Sequence, residues 1–200
     1  ALIFTFPGLT MRDLQNLGSI LPESVNLCPG ICYHAPLLNS SGAPNLMHPI
    51  LNIASRAARE AAELIVEASD RPDRMQVFEK AVNDYVTDVD QAVEKLLIET
   101  IRKAYPDHSF LCEESGLDEG KDKDTVWVID PIDGTRNFVM GFPHFCISIA
   151  CIQKNKLQHA LILDPIKNEE FMASKGRGAQ MNGNRIRVGK CNKLEKAVVG

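Results

Sequence analysis

The chain has 200 residues, 44% of them hydrophobic and 24% charged, with a formal net charge of -4. This is the balance of a globular chain with one sizeable core, and it argues against a broad nucleic-acid-binding surface. No apolar run approaches the roughly 18 residues of a membrane span, and the opening ALIFTFPGL, broken by Pro7-Gly8, reads poorly as a secretory signal.

In chain order, residues 1–46 differ from the rest. They hold only three charged residues (Arg12, Asp13, Glu23) and five of the eleven prolines, and Asn39 to Pro44 reads as a linker. The chain begins with Ala1, and this segment is expected to be a poorly ordered extension outside the folded unit. From His48 to Ser69, Leu51, Ala54, Ala58, Ala61, Ile65 and Ala68 recur at helical steps. A second helix is predicted from about Thr87 to Ala104, with Thr87 and Asp90 spaced as a capping box and Pro106 just beyond its end.

Beyond it the period shortens. Short strands are predicted at Ser109–Cys112, Val126–Ile129, Phe145–Ile152, Leu157–Leu163 and Glu170–Ala173. Gly116 to Asp124 reads as a solvated loop, and Asn182-Gly183 as the tight turn of a hairpin. Lys175, Arg177, Arg185, Arg187 and Lys190 could form a local basic patch, and those from Lys175 to Arg187 are taken as hairpin surface. The final Lys196 to Gly200 looks like a strand cut short, so an incomplete protein is expected. The six cysteines (28, 32, 112, 146, 151, 191) show no zinc spacing. They are read as free thiols of a reducing, cytoplasmic chain, with 112, 146 and 151 in apolar strand-like segments.

The chemistry gathers around WVIDPIDGTRNF, Trp127 to Phe138. An apolar strand runs into Asp130 and Asp133, at the kind of strand end where open sheets place ligands. Two carboxylates about 4 Å apart repel by about 4 kcal/mol at an effective dielectric of 20, so a proton, a basic group or a cation must offset them. An all-oxygen acidic set favours Mg²⁺ or Mn²⁺. Pro131 stiffens the turn so that the Ile132 carbonyl can point to the same centre. Gly134 lets backbone approach a ligand, and Thr135 offers its N–H at a helix start. CEES places Glu113 and Glu114 after a short strand, and NDYVTDVD places Asp84, Asp88 and Asp90 at the start of the second helix. Strand-end and helix-start acids together make a plausible two-metal phosphatase site. Glu114 is assigned an outer role, Asp84 and Asp88 the part of helix-start charges, Lys80 a solvated position and His144 a structural one.

These motifs resemble the inositol monophosphatase family, most closely its bacterial extragenic-suppressor type. The resemblance rests on DYVTDVD, CEES and WVIDPIDGTRNF in order, together with GRGAQMNGNRIRV, and covers about Met47 to Gly200. It implies an α+β, layered α-β-α-β-α sugar-phosphatase fold, represented here by its N-terminal part, with two helices packed on a largely antiparallel sheet and the C-terminal α/β part absent. It implies two or three Mg²⁺ ions. Glu113, Asp130 and the Ile132 carbonyl would hold the first, and Asp130 and Asp133 the second. Asp90 and Thr135, with help from Glu113, would orient the attacking water, and Gly134 and Thr135 would donate backbone N–H groups to the phosphate. The implied reaction is lithium-sensitive hydrolysis of a small phosphomonoester, inositol monophosphate first, by direct attack of metal-activated water. A bisphosphate nucleotide, histidinol phosphate or a sugar phosphate is the alternative substrate. Family relatives also act as partners of RNA polymerase and ribosomal RNA synthesis, without direct nucleic-acid or membrane binding, and are typically homodimers. A further reading is an inactive fragment. The chain departs from the family pattern at Arg136, where a threonine commonly stands. The family's later Trp-Asp motif, which supplies another Mg²⁺ ligand, falls beyond Gly200, so the 200 residues alone are expected to be weakly active or inactive.

Overall fold

The computed structural model describes residues 48–81 and 84–187. The extension expected at 1–46, Cys28, Cys32, Cys191, Lys190, the final apolar run and the side chains of Lys80 and Asp84 lie outside the described residues. Helix α1 spans Pro49–Ser69 and helix α2 Asp88–Ala104. Proline in the first turn suits α1, where its missing N–H costs nothing, and the His48 side chain accepts the Ile50 N–H at 3.3 Å. The stripe Leu51, Ala54, Ala58, Ala61 and Ile65 is buried, and its alanines let α2 approach closely. Helix α2 starts in the predicted capping box: the Thr87 side chain accepts the Asp90 N–H, and Asp90 accepts the Thr87 N–H in return. Val93, Leu97 and Ile101 form its inner face.

Both helices contribute to one core against an eight-stranded sheet of order β10-β9-β8-β7-β6-β5-β3-β4. Its strands are β3 Ser109–Cys112, β4 Gly116–Asp118, β5 Thr125–Asp133, β6 Cys146–Gln153, β7 Lys156–Asp164, β8 Glu169–Ser174, β9 Gly178–Met181 and β10 Asn184–Ile186. All pairs are antiparallel except β3 with β5. Alternate residues of the central strands, among them Phe110, Trp127, Ile129, Ile149 and Leu161, enter the helix-covered core. The fully buried Trp127 donates its indole N–H to His108 Nδ1 at 2.9 Å. Ser55 donates to the buried Glu170 carboxylate at 2.6 Å and Arg59 pairs with it at 3.2 Å, tying α1 to β8.

Three differences from the sequence reading matter. A hairpin of β1 (Val77–Ala81) and β2 (Asp84–Thr87) precedes α2, so Asp84 belongs to a strand and not to a helix start. The predicted loop from Gly116 contains the edge strand β4, because β3 has an open side to pair with. The predicted Val126–Ile129 strand continues through Pro131 to Asp133. Proline is tolerated there because the pairing with β6 is irregular over that stretch: Asp130 faces Ser148 and Asp133 faces Cys146. Three steps on β5 thus match two on β6, which is a one-residue bulge. The turn at Asn182-Gly183 is as predicted, with φ of 47° and 79°.

Gly134 caps the short helix α3, Thr135–Val139, at φ 101°. A Cβ there would stand 3.1 Å from the His144 carbonyl oxygen. Gly134→Ala is expected to destabilise the fold by about 1–3 kcal/mol in urea denaturation; an unchanged midpoint would contradict this backbone account. His159 is buried, stacks on His48 at 4.1 Å and meets Ser174 Oγ at 2.9 Å. Burial, then the neighbouring His48 and Arg177, hold its pKa down at about 4 against an ordinary 6.5. The unfolded chain therefore takes up a proton that the folded chain refuses between those values, so stability is full above about 6.5 and declines as pH falls toward 4. In denaturant melts the parent should lose stability relative to His159→Gln across that window; parallel curves would contradict the assignment.

Candidate active site

The parallel register of β3 and β5 is what builds the site. Cys112 lies beside Ile129, and the next residue, Glu113, donates its N–H to the Ile129 carbonyl at 3.1 Å. Glu113 and Asp130 therefore leave the same edge of the sheet side by side, and their carboxyl groups share a hydrogen bond. The bulge acts on Asp133. Positions three apart on a regular strand face opposite ways, but Asp130 and Asp133 oppose Ser148 and Cys146, which are two apart and share a face. Both acids are thereby presented on the face away from the Trp127 and Ile129 side chains.

Helix starts complete the cluster. Asp90 is 1% exposed; its Oδ2 accepts both the N–H and the hydroxyl of Thr87. The Thr135 hydroxyl lies 3.3 Å from Asp90 Oδ1 and 3.0 Å from the Ile132 carbonyl oxygen. It has one proton for these two acceptors, and its lone pairs stay available to a donor from the cleft. The structure thus links Asp90, Thr135 and Ile132 directly, and groups Glu113, Asp130 and Asp133 through shared electrostatics.

The cluster is acidic and partly buried. Burial, then the charge and hydrogen bond of Glu113, then Asp133 and Asp90, push the Asp130 carboxyl far above the carboxylate range. Burial raises Asp90 to about 6, against the opposing pull of its Thr87 hydrogen bonds. Burial also raises Asp133, which the nearby His144 opposes. Asp130 is 2% exposed and its Oδ1 has no hydrogen-bond partner. A buried carboxylate oxygen without a donor is costly. Together with all-oxygen neighbours, it is the kind of acceptor that a hard divalent cation satisfies. Among the described residues, no three His, Cys, Asp or Glu side chains already enclose a common point as metal ligands do.

The remaining assignments sort by contact. Asp88 is exposed and accepts the Gln76 N–H at 3.0 Å, a structural role. Arg136 is exposed in the first turn of α3. His144, expected to be a satisfied structural histidine, is instead exposed at the rim beside Asp133, two residues before strand β6 begins, with its ring against Phe142. Sequence reasoning missed Glu94. It is buried, and its two oxygens accept the N–H groups of Glu114 and Ser115 at 2.9 and 3.0 Å, which fixes the turn carrying Glu113. Its place one turn after Asp90, on the inner stripe of α2, was the available signal. Beside the cluster, the Cys146 Sγ lies 4.0 Å from Asp133 Oδ2.

Comparison with known proteins agrees with this geometry. Residues 46–200 match the model of the inositol monophosphatase family. Over 156 residues the chain is 53% identical to the Nus factor SuhB of Pseudomonas aeruginosa, covering 77% of this chain and 58% of that protein. The extragenic suppressor protein suhB from Bartonella henselae matches in structure with a TM-score of 0.72 at 35% identity, over 74% of this chain and 57% of that one. An IMPase from Thermotoga maritima matches with a TM-score of 0.64 at 34% identity, over 70% and 54%. The chain thus spans a little over half the length of these relatives. With its ordered acids, its layered α+β phosphatase fold and these matches, the chain belongs to the inositol monophosphatase family.

Proposed function

We propose that this chain carries the acidic centre of a Mg²⁺-dependent phosphatase of small phosphomonoesters, with inositol monophosphate as the foremost substrate. The observation that carries the reading is the buried Asp130, whose Oδ1 lacks a partner while Glu113, Asp133 and Asp90 crowd it with like charge. Glu113, Asp130 and the Ile132 carbonyl would hold one cation, and Asp130 with Asp133 a second. The chemistry a divalent cation supplies when bound is neutralisation of phosphoryl oxygens and activation of water.

The chain's own groups do the rest. Ionised Asp90 draws on the Thr135 hydroxyl proton across 3.3 Å. This leaves Thr135 Oγ1 as an acceptor that fixes the direction of a donating water and can pass its proton toward Asp90. Gly134, having no Cβ, keeps backbone open beside His144, and the first N–H groups of α3 would donate to the phosphate. Glu94, through the Glu114 and Ser115 N–H groups, holds Glu113 in position. Lithium sensitivity, a homodimeric whole protein and a cytoplasmic setting belong to the same proposal; among the described residues no helix is long and apolar enough to cross a membrane.

Calorimetric titration with Mg²⁺ tests the reading directly. The 200-residue chain should bind Mg²⁺, and Asp130→Asn should weaken that binding at least about tenfold, the scale of losing one charge-bearing ligand. Equal affinity in parent and variant would remove the proposed centre. In the whole protein, Thr135→Val should lower the rate of inositol monophosphate hydrolysis by about 10²–10³-fold with Mg²⁺ affinity little changed; an unaltered rate would remove Thr135 from water positioning.

The 53% identity to a protein named a Nus factor favours a second activity on the same chain, association with the transcription machinery. Capture of RNA polymerase by the purified whole protein should persist in Asp130→Asn, although hydrolysis is lost. Failure of the parent to capture polymerase would dismiss this reading.

A further inference from the structure

A row of residues crosses the sheet on its helix-covered face, opposite the acidic cluster. His159 pairs with Ser174, and Ser174 with Gly178. Two residues from these, Leu161 and Met172 lie in the core, so His159 and Ser174 share its face. Strand β10 ends the row. Arg185 pairs with Gln180, which pairs with Met172, and this register sets Arg185 on the same face. Gly178 leaves room for two arginines: a Cβ there would stand 3.6 Å from a guanidinium nitrogen of Arg187 and 3.7 Å from one of Arg185. Lys175 and Arg177 sit in the turn before Gly178. All four cations are exposed, and none pairs with an acid among the described residues. At the other end of the row, the half-buried His48 stacks its ring on His159 at 4.1 Å.

We propose that this row binds single-stranded nucleic acid, with a base against His48 and phosphates on Arg177, Arg185 and Arg187. The inference goes beyond the proposed hydrolysis and is independent of the acidic centre. A net charge of -4 argues against a broad nucleic-acid surface, but here four cations gather at one end of a hairpin with no acid paired to them. Guanidinium forks match phosphate oxygens. Single strands are held by cations that follow the backbone, beside aromatic faces that take the bases. Gly178 is two strands from His159, about 10 Å, which is the scale of a base and a neighbouring phosphate. The stacked rings favour a nucleic acid over an acidic peptide, which has no base to stack. The exposure of the cations favours a chain over a free nucleotide. Exposed charges hold one phosphate weakly, whereas successive phosphates of one strand release their counterions together.

The test uses the 200-residue chain and a fluorescent single-stranded RNA of about eight nucleotides, followed by anisotropy in EDTA across a range of salt. Binding is expected, with a log–log salt slope of about -2 from three phosphates at about -0.7 each. Arg185→Gln combined with Arg187→Gln should weaken binding at least about tenfold and take about 1.4 off that slope. His48→Asn keeps a side-chain acceptor to cap α1 and removes the ring. It should weaken binding about tenfold and leave the slope unchanged. Asp130→Asn should bind as the parent does. A cooperative melt checks that each variant is folded. No binding by the parent at low salt, or parent affinity kept in the double arginine variant, overturns the proposal. Equal affinity for polyglutamate would assign the patch to an acidic peptide, and equal affinity for a nucleoside triphosphate to a free nucleotide; either result overturns it. Unchanged affinity in His48→Asn overturns the stacked base and the choice of nucleic acid with it. Binding lost in Asp130→Asn overturns the separation of this row from the acidic centre.

Discussion

A strand alternates its side chains, so two carboxylates three residues apart are sent to opposite faces unless the strand is interrupted. The bulge of β5 between Asp130 and Asp133 is that interruption, and the site depends on it. Pro131 has no N–H to contribute to a ladder, which makes it a liability in a regular central strand and acceptable at a bulge. The parallel partnership of β3 with β5 does the complementary task, carrying Glu113 to Asp130 from a distant part of the chain. Both devices position charge by backbone register, which is set by many hydrogen bonds at once and is therefore hard to displace.

Gathering acids in this way is unfavourable for the fold. Burial holds Asp130, Asp90 and Asp133 above their ordinary pKa values, with repulsion from neighbouring carboxylates adding to it chiefly at Asp130, so each costs stability when ionised. The opposing contribution comes from the core on the other side of the sheet, where Trp127, Phe110, Ile129, Leu97 and Ile65 are fully buried. The division is strand by strand: alternate residues of β5 feed the core and the cluster. A charge-rich edge supported by a buried apolar layer is the usual arrangement of a site that must bind charge.

Much of this was legible in the sequence, for identifiable reasons. The alanine-rich stripe of α1 has one period and one interpretation. Thr87 and Asp90 signal a helix start by chemistry that acts over three residues, and Asn182-Gly183 a turn by its tolerance of positive φ. The order of the acidic motifs pointed to Glu113, Asp130, Asp133, Asp90 and Thr135 before any contact was known. The illegible parts all depend on partners. Val77 and Phe78 are exposed on β1, so that strand shows little core-facing pattern of its own. Strand β4 exists because β3 offers it an edge. The continuation of β5 past Pro131 could not be read without β6, nor could the pairing that sets Cys146 against Asp133, nor the turn held by Glu94. His144 shows the same limit, since exposure at a rim is a property of the assembled chain.

The central claim is that Asp130, Glu113, Asp133 and the Ile132 carbonyl form a seat for a divalent cation. Crystals of the chain grown with Mn²⁺ and measured for anomalous scattering address it most directly. An anomalous peak within bonding distance of Asp130 Oδ1 and Glu113, with the Asp130–Glu113 hydrogen bond broken, is the predicted result. Mn²⁺ found only elsewhere, with that hydrogen bond intact, would contradict the account.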